Sequence, residues 1–137
     1  MSDCIFCKII AGEIPSFRYF EDDQFLAFMD INPLTRGHSL LIPKAHHATI
    51  HDMPGDLLQG LILRAQRLSK VLVDSLGAKG INLMQSNGRA ANQIIDHFHM
   101  HLIPRYAPDD IKGMAWELVP GDMEDIKKAA DQIKAAL

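Results

Sequence analysis

The sequence has only two cysteines, one tryptophan and no surplus of basic residues, and each shortage removes a class of function. Cys4 and Cys7 form a single C-x-x-C. A pair so close cannot staple a distant loop, so a disulfide scaffold is excluded and a reducing cytoplasm is the expected compartment. Lys and Arg number 14 against 17 Asp and Glu, a formal charge of -3. No cationic excess exists to neutralise a long phosphate backbone, and stable duplex nucleic acid is not an expected partner. No stretch approaches the roughly 18 unbroken apolar residues of a membrane span, and Asp3, Lys8 and Glu13 interrupt the opening Met1 to Ile14; neither a span nor a signal peptide is expected. Internal repeats, low-complexity tracts and linkers are also missing.

What is present is a globular composition, 47% hydrophobic and 23% charged over 137 residues, which predicts one domain across 1–137. Ile5, Phe6, Ile9 and Ile10 recur at helical spacing before Gly12 and Pro15, a short helix. Arg18 to Glu21 and Phe25 to Met29 read as a hairpin around Asp22-Asp23, and His38 to Ile42 as a third strand closed by Pro43. A polar loop with His46, His47 and His51 follows. Leu57, Leu61, Ala65, Leu68 and Leu72 stripe one face of a helix about five turns long, ending at Gly77. Ile81 to Ser86 and Asp96 to Ile103 read as strands, the second stopped by Pro104. A last helix from about Asp122 to Leu137 places Ile126, Ala130, Ile133 and Leu137 on one face, suited to late packing or to a subunit boundary. A long helix set between strand groups favours an antiparallel α+β layer.

Seven histidines are many for this length, and three stand at alternate positions, His97, His99 and His101. On a strand they share one face, ~6.6 Å apart, while Phe98, Met100 and Leu102 take the other. Three imidazoles so spaced can surround a phosphate, with one attacking phosphorus, or ligate a catalytic zinc. The plain alternative is a His-rich strand facing water. Cys4 and Cys7, at the start of a helix, can turn both sulfurs to one side and with two imidazoles complete a tetrahedral Cys2His2 set; a redox dithiol and two inert thiols are the competing readings.

The run His97-Phe98-His99-Met100-His101-Leu102-Ile103 resembles the signature of the histidine triad family of nucleotide hydrolases and transferases. Cys4-Ile5-Phe6-Cys7-Lys8-Ile9-Ile10, Leu26-Ala27-Phe28-Met29-Asp30-Ile31-Asn32-Pro33 and Gly37-His38-Ser39-Leu40-Leu41-Ile42-Pro43-Lys44 resemble its other blocks in the same order. The resemblance implies an antiparallel half-barrel sheet with two main helices, joined across a homodimer. It implies that His99 is the nucleophile, that His101 and His38 hold the phosphate oxygens, and that His97 fixes ring orientation. It implies a nucleotide pocket of Ile5, Phe6, Ile9, Phe28 and Ile31 around a purine base, with Asp30 accepting from the ribose hydroxyls. For the apolar set the alternative is core packing, and for Asp30 a turn before Asn32-Pro33.

By the same resemblance the zinc ligands would be Cys4, Cys7, His46 and His97, a closed structural shell, with no cofactor required for the chemistry. Two positions depart from the pattern. Ile94 stands where a Ser or Thr is common, and Ser86 where Asn or Gln is common, with Asn87, Asn92 and Gln93 nearby to compensate. The leading expectation is a purine nucleoside phosphoramidase or related nucleotidyl hydrolase. The alternatives are a nucleotide-binding regulatory module, a dinucleoside polyphosphate hydrolase and a metal-dependent hydrolase. His47, His51 and Trp116 carry no assigned role.

Overall fold

A computed structural model describes residues 3–111 and 120–137; Trp116 lies outside them. Helix α1 spans Ile5–Ile10, and strands β1 (Arg18–Glu21), β2 (Phe25–Met29) and β3 (Ser39–Pro43) follow. Helix α2 covers Gly55–Leu76, strands β4 and β5 cover Gly80–Gln85 and Met100–Arg105, and helix α3 covers Met123–Ala136. The strands form an open antiparallel sheet of five, in the order β1-β2-β3-β5-β4. The expected α+β layer with two main helices is what the chain adopts.

All five residues of β2 and of β3 are buried, because both faces of the central sheet are covered. Phe25, Ala27, Met29 and Leu41 face the main core with Leu61, Ala65, Leu68 and Leu72 of α2. Leu26, Phe28, Leu40 and Ile42 face the other way, against Phe6 and Ile9 of α1. Period-two alternation therefore assigns each strand residue to one of two clusters. Leu40 is the register partner of His101, so the triad lies on the α1 face while Phe98 and Leu102 enter the main core.

Among the boundaries, the length of α2 and the end of β5 depart from the sequence expectation. Helix α2 has 22 residues, about six turns rather than five at 3.6 residues per turn. It ends on Gly77, whose φ of 69° gives the left-handed cap. Pro104 does not stop β5 but lies within it opposite Ile81; β3 pairs β5 only as far as Leu102, so a residue without an N–H is tolerated beyond that point. Helix α3 packs within its own chain. Its N-cap Asp122 accepts from the Glu124 amide, and Ile126, Ala129, Ala130 and Ile133 complete the main core, with Leu137 exposed.

Candidate active site and metal centre

The triad is not wholly on a strand. Strand β5 begins at Met100, so of the three only His101 belongs to it, and the expected strand start at Asp96 is four residues early. The preceding segment is held by other bonds. The Phe98 amide donates to the His47 carbonyl at 2.7 Å, and His97 Nε2 lies 2.8 Å from the Pro43 carbonyl. His38 likewise sits just ahead of β3, its amide on Thr35 and its carbonyl receiving the Asp30 amide. None of the four imidazoles faces water: His38, His97, His99 and His101 are all buried.

Their partners define their tautomers, because a carbonyl only accepts and a backbone amide only donates. His97 carries its proton on Nε2, toward Pro43, which leaves Nδ1 as a lone pair. His99 carries its proton on Nδ1, 2.7 Å from the His97 carbonyl, so its Nε2 is the lone pair. The Leu34 amide donates to His38 Nδ1 at 3.0 Å. The His38 proton is then on Nε2 and is donated to His101 Nδ1 at 2.9 Å, which puts the His101 proton on its own Nε2. The His99 and His101 ring centres are 5.0 Å apart, so a ring with a bare Nε2 neighbours a ring with a protonated one.

Burial holds these rings neutral. It pushes His38 down to about 3, His101 to about 2, His97 to about 4 and His99 below its ordinary value. Burial acts oppositely on Asp30, raising its carboxyl to about 6 although the Asn32 amide donates to it. Asp30 Oδ2 is 3.5 Å from His38 Nε2 and its side chain is 16% exposed.

Cys4, Cys7, His46 and His97 meet beside the triad, their ligand atoms all within 4.8 Å of one another. Cys4 Sγ to His97 Nδ1 is 3.4 Å, Cys7 Sγ to His46 Nδ1 3.4 Å and Cys7 Sγ to His97 Nδ1 3.7 Å. With zinc–sulfur and zinc–nitrogen bonds of ordinary length, a tetrahedral site has a sulfur-to-nitrogen edge of about 3.5 Å. The donor set fits zinc in chemistry and in size, and the nitrogen that His97 presents is the one its Pro43 bond leaves bare.

The remaining expected residues divide. Phe6, Ile9 and Phe28 are buried in the α1-face cluster, and the Phe6 ring meets His97 and His99 edge-on at 5.8 and 5.2 Å between centres. Ile5 and Ile31 are 42% and 52% exposed, which core packing does not explain. Asn87 and Gln93 are committed to the loop. Asn87 accepts from the Ile50 amide and pairs with the Gln85 amide group; Gln93 accepts from Gly88 and donates to Ala48 and Ile95. Ser86 falls just past β4, and among the described residues no side-chain hydrogen bond joins it to the triad. The sequence reading missed Leu34, Pro43 and His47, which act through main-chain atoms and so leave no signature in residue type.

The HIT domain family matches residues 11–108. The chain is 39% identical over 140 residues to adenosine 5'-monophosphoramidase HNT1 of Candida albicans, covering 99% of this chain and 92% of that one. A Hit-like protein of Bartonella henselae, crystallised with an unknown ligand, superposes with a TM-score of 0.88 at 36% identity, covering 100% of this chain and 98% of that one. A zinc-bound histidine triad family protein of Mycobacterium smegmatis superposes with a TM-score of 0.85 at 32% identity, covering 98% and 93%.

Proposed function

The chain belongs to the HIT domain family, and from that premise we propose that it hydrolyses nucleoside 5'-phosphoramidates, of purines by preference, through a nucleotidyl intermediate on His99. The observation that carries this reading is the 2.7 Å contact from His99 Nδ1 to the His97 carbonyl. It presents Nε2 as a lone pair on a buried, neutral imidazole.

In the first step Nε2 bonds to phosphorus and the P–N bond breaks, its electron pair going to the leaving nitrogen, which departs as an amine after taking up a proton. In the second, water bonds to phosphorus and displaces the imidazole, releasing the nucleoside monophosphate and a proton. His101, with its proton on Nε2, donates to a phosphate oxygen, and His38 holds His101 in that tautomer. Exposed Ile5 and Ile31 fit walls for a base, with Phe6, Ile9 and Phe28 behind them, and Asp30 offers an acceptor for vicinal hydroxyls. Asn87 and Gln93 shape the loop beside the site, and Ser86 follows β4 at the start of that loop. Cys4, Cys7, His46 and His97 would hold a zinc ion, which with four protein ligands would supply a structural cross-link.

A homodimer continuing the sheet fits the open edge of β4, where Leu83 is exposed, as are Ile62 and Leu63 of α2. Thiols available for zinc fit a reducing cytoplasm. Among the described residues no helix is long and apolar enough to cross a membrane. Exposed Ile94, which offers no polar atom to a leaving group, favours one second reading, a nucleotide-binding module of slow turnover.

The test is AMP release from adenosine 5'-phosphoramidate by wild type and His99→Ala, each with and without chelator, together with capture of labelled nucleotide on the protein. Release that survives chelator, vanishes in the variant and passes through a labelled His99 is expected. A folded wild type that binds AMP without releasing any from the substrate would favour the binding module.

A further inference from the structure

Helix α1 has six residues, too few to persist without tertiary support. Three things support it: the Arg18 guanidinium on the Ile9 and Ile10 carbonyls, the apolar contacts of Phe6 and Ile9, and the thiol pair facing His46 and His97. Cys4 is the N-cap of α1, its sulfur receiving the Cys7 amide. The turn that carries both thiols also carries Ile5, exposed on the surface, and Phe6, whose ring lies against His99.

His97 makes a second connection. Its Nδ1 belongs to the thiol cluster, its Nε2 is anchored to Pro43, and its main-chain carbonyl holds His99 Nδ1. The residue that would ligate zinc is therefore also the residue that orients the nucleophile. His46 ties in the loop whose next carbonyl, that of His47, receives the Phe98 amide. Since His97 and His99 precede β5, these bonds stand where ladder bonds would otherwise fix the segment.

We propose that zinc and nucleotide binding are thermodynamically coupled in this protein, through α1 on one side and the His97 main chain on the other. This inference rests on the nucleotide site proposed above. Without the ion, the thiols and imidazoles are joined by weak sulfur hydrogen bonds only, and α1 keeps Arg18 and its apolar contacts alone, so its first turn, with Ile5 and Phe6, is less firmly fixed beside the triad. With it, the wall and the nucleophile are set before nucleotide arrives, and the ordering cost falls on the metal instead. Coupling of this kind is reciprocal: if zinc tightens AMP binding about tenfold, AMP tightens zinc binding by the same factor.

The experiment measures AMP affinity by calorimetry on the zinc-free and zinc-loaded protein, zinc affinity by a competing indicator with and without AMP, and amide hydrogen exchange at Lys8, Ile9 and Ile10. The expected result is an AMP Kd about tenfold weaker without zinc, an equal shift in zinc Kd, and faster exchange in α1 of the zinc-free form. Equal AMP affinity in both forms overturns the coupling while leaving the nucleotide site standing. AMP binding to neither form overturns the nucleotide reading and the coupling with it, and failure to bind zinc overturns the coupling alone. If the zinc-free protein does not fold, Phe6→Leu decides: it keeps all four ligands but removes the ring between thiols and nucleophile. Measured with AMP saturating each protein, the shift in zinc Kd then shrinks well below that of wild type, and an unchanged shift overturns the proposal.

Discussion

His99 Nδ1 lies 2.7 Å from the carbonyl of His97, two residues earlier in the chain, and this one contact decides which ring nitrogen is left with a lone pair. Because a carbonyl only accepts, the proton stays on Nδ1 and the lone pair on Nε2. The same logic runs from the Leu34 amide through His38 to His101, ending on an N–H donor beside the lone pair. Base and donor differ although both rings are neutral and buried, and main-chain groups make the difference.

His38→Ala tests that chain of tautomers. With the donor to His101 Nδ1 gone, His101 can move its proton to Nδ1 and turn an acceptor toward the phosphate. A fall in kcat of roughly 10²-fold is expected, the usual effect of losing one transition-state donor, with KM changed much less. Steady-state kinetics on adenosine 5'-phosphoramidate check it, and nitrogen NMR of His101 reads the tautomer directly. A rise in KM at constant kcat would mean that His38 serves binding alone.

Asp30 links pH to stability and to binding with opposite signs. Burial raises its carboxyl to about 6 from 3.8, so the folded protein holds this proton more tightly than the unfolded chain. Its contribution to stability is complete below about pH 4 and is lost as pH rises through about 6, a change of at most ~3 kcal/mol. Asp30→Asn should therefore raise Tm at pH 8 relative to wild type and leave it unchanged near pH 4. The adenine ring of adenosine titrates at the acid edge of this window, so the binding comparison runs from about pH 5 upward, where affinity for wild type should rise as the carboxylate forms. Thermal melts at both pH values and adenosine titrations over that range check the pair of trends.

Strands β1 and β2 fall where the residue pattern predicts them, Arg18–Glu21 and Phe25–Met29, because a hairpin is a local object whose turn and alternation are both written in adjacent residues. The triad strand is different. Alternation of His97, His99 and His101 with apolar residues predicts a strand from Asp96, but a ladder needs partners, and β4 ends at Gln85 opposite Met100. Upstream of that point the chain bonds instead to Pro43 and His47, long-range contacts that periodicity cannot report. Faces survived where boundaries did not, so the buried triad, Phe6 and the thiol cluster come together as the residue types suggest. Asn87 and Gln93 are suggested by residue type and by nearness to Ser86, neither of which shows that their amides already hydrogen-bond within the loop.

Gly37→Ala should be among the most disruptive single substitutions near the site. Gly37 has φ of +94°, and a Cβ there would collide with Leu76 Cδ1 and meet Pro104 Cγ at 3.1 Å. Left-handed strain of about 1–2 kcal/mol and overpacking of about 1–3 kcal/mol combine, and the displacement reaches His38 directly. Gly12→Ala is the control: its φ is +80° with nothing within 4 Å, so among the described residues it meets strain alone. Urea denaturation should show a loss for Gly37→Ala clearly larger than for Gly12→Ala, and only the former should depress kcat/KM.

Ile94 tests whether turnover is limited at the leaving group. The residue is 61% exposed in the loop before the triad, at the position where the family resemblance implies Ser or Thr. An exposed isoleucine contributes little to the core, so Ile94→Ser should leave Tm within about 1 °C, since a surface change is worth a few tenths of a kcal/mol. If the hydroxyl reaches the departing nitrogen, one hydrogen bond of about 1.4 kcal/mol to the transition state raises kcat about tenfold. Substrates with poor leaving groups should gain most, because they need the most help as the P–N bond breaks. A kcat unchanged across a series of amine leaving groups would place the slow step after that bond, in hydrolysis of the His99 intermediate or in product release.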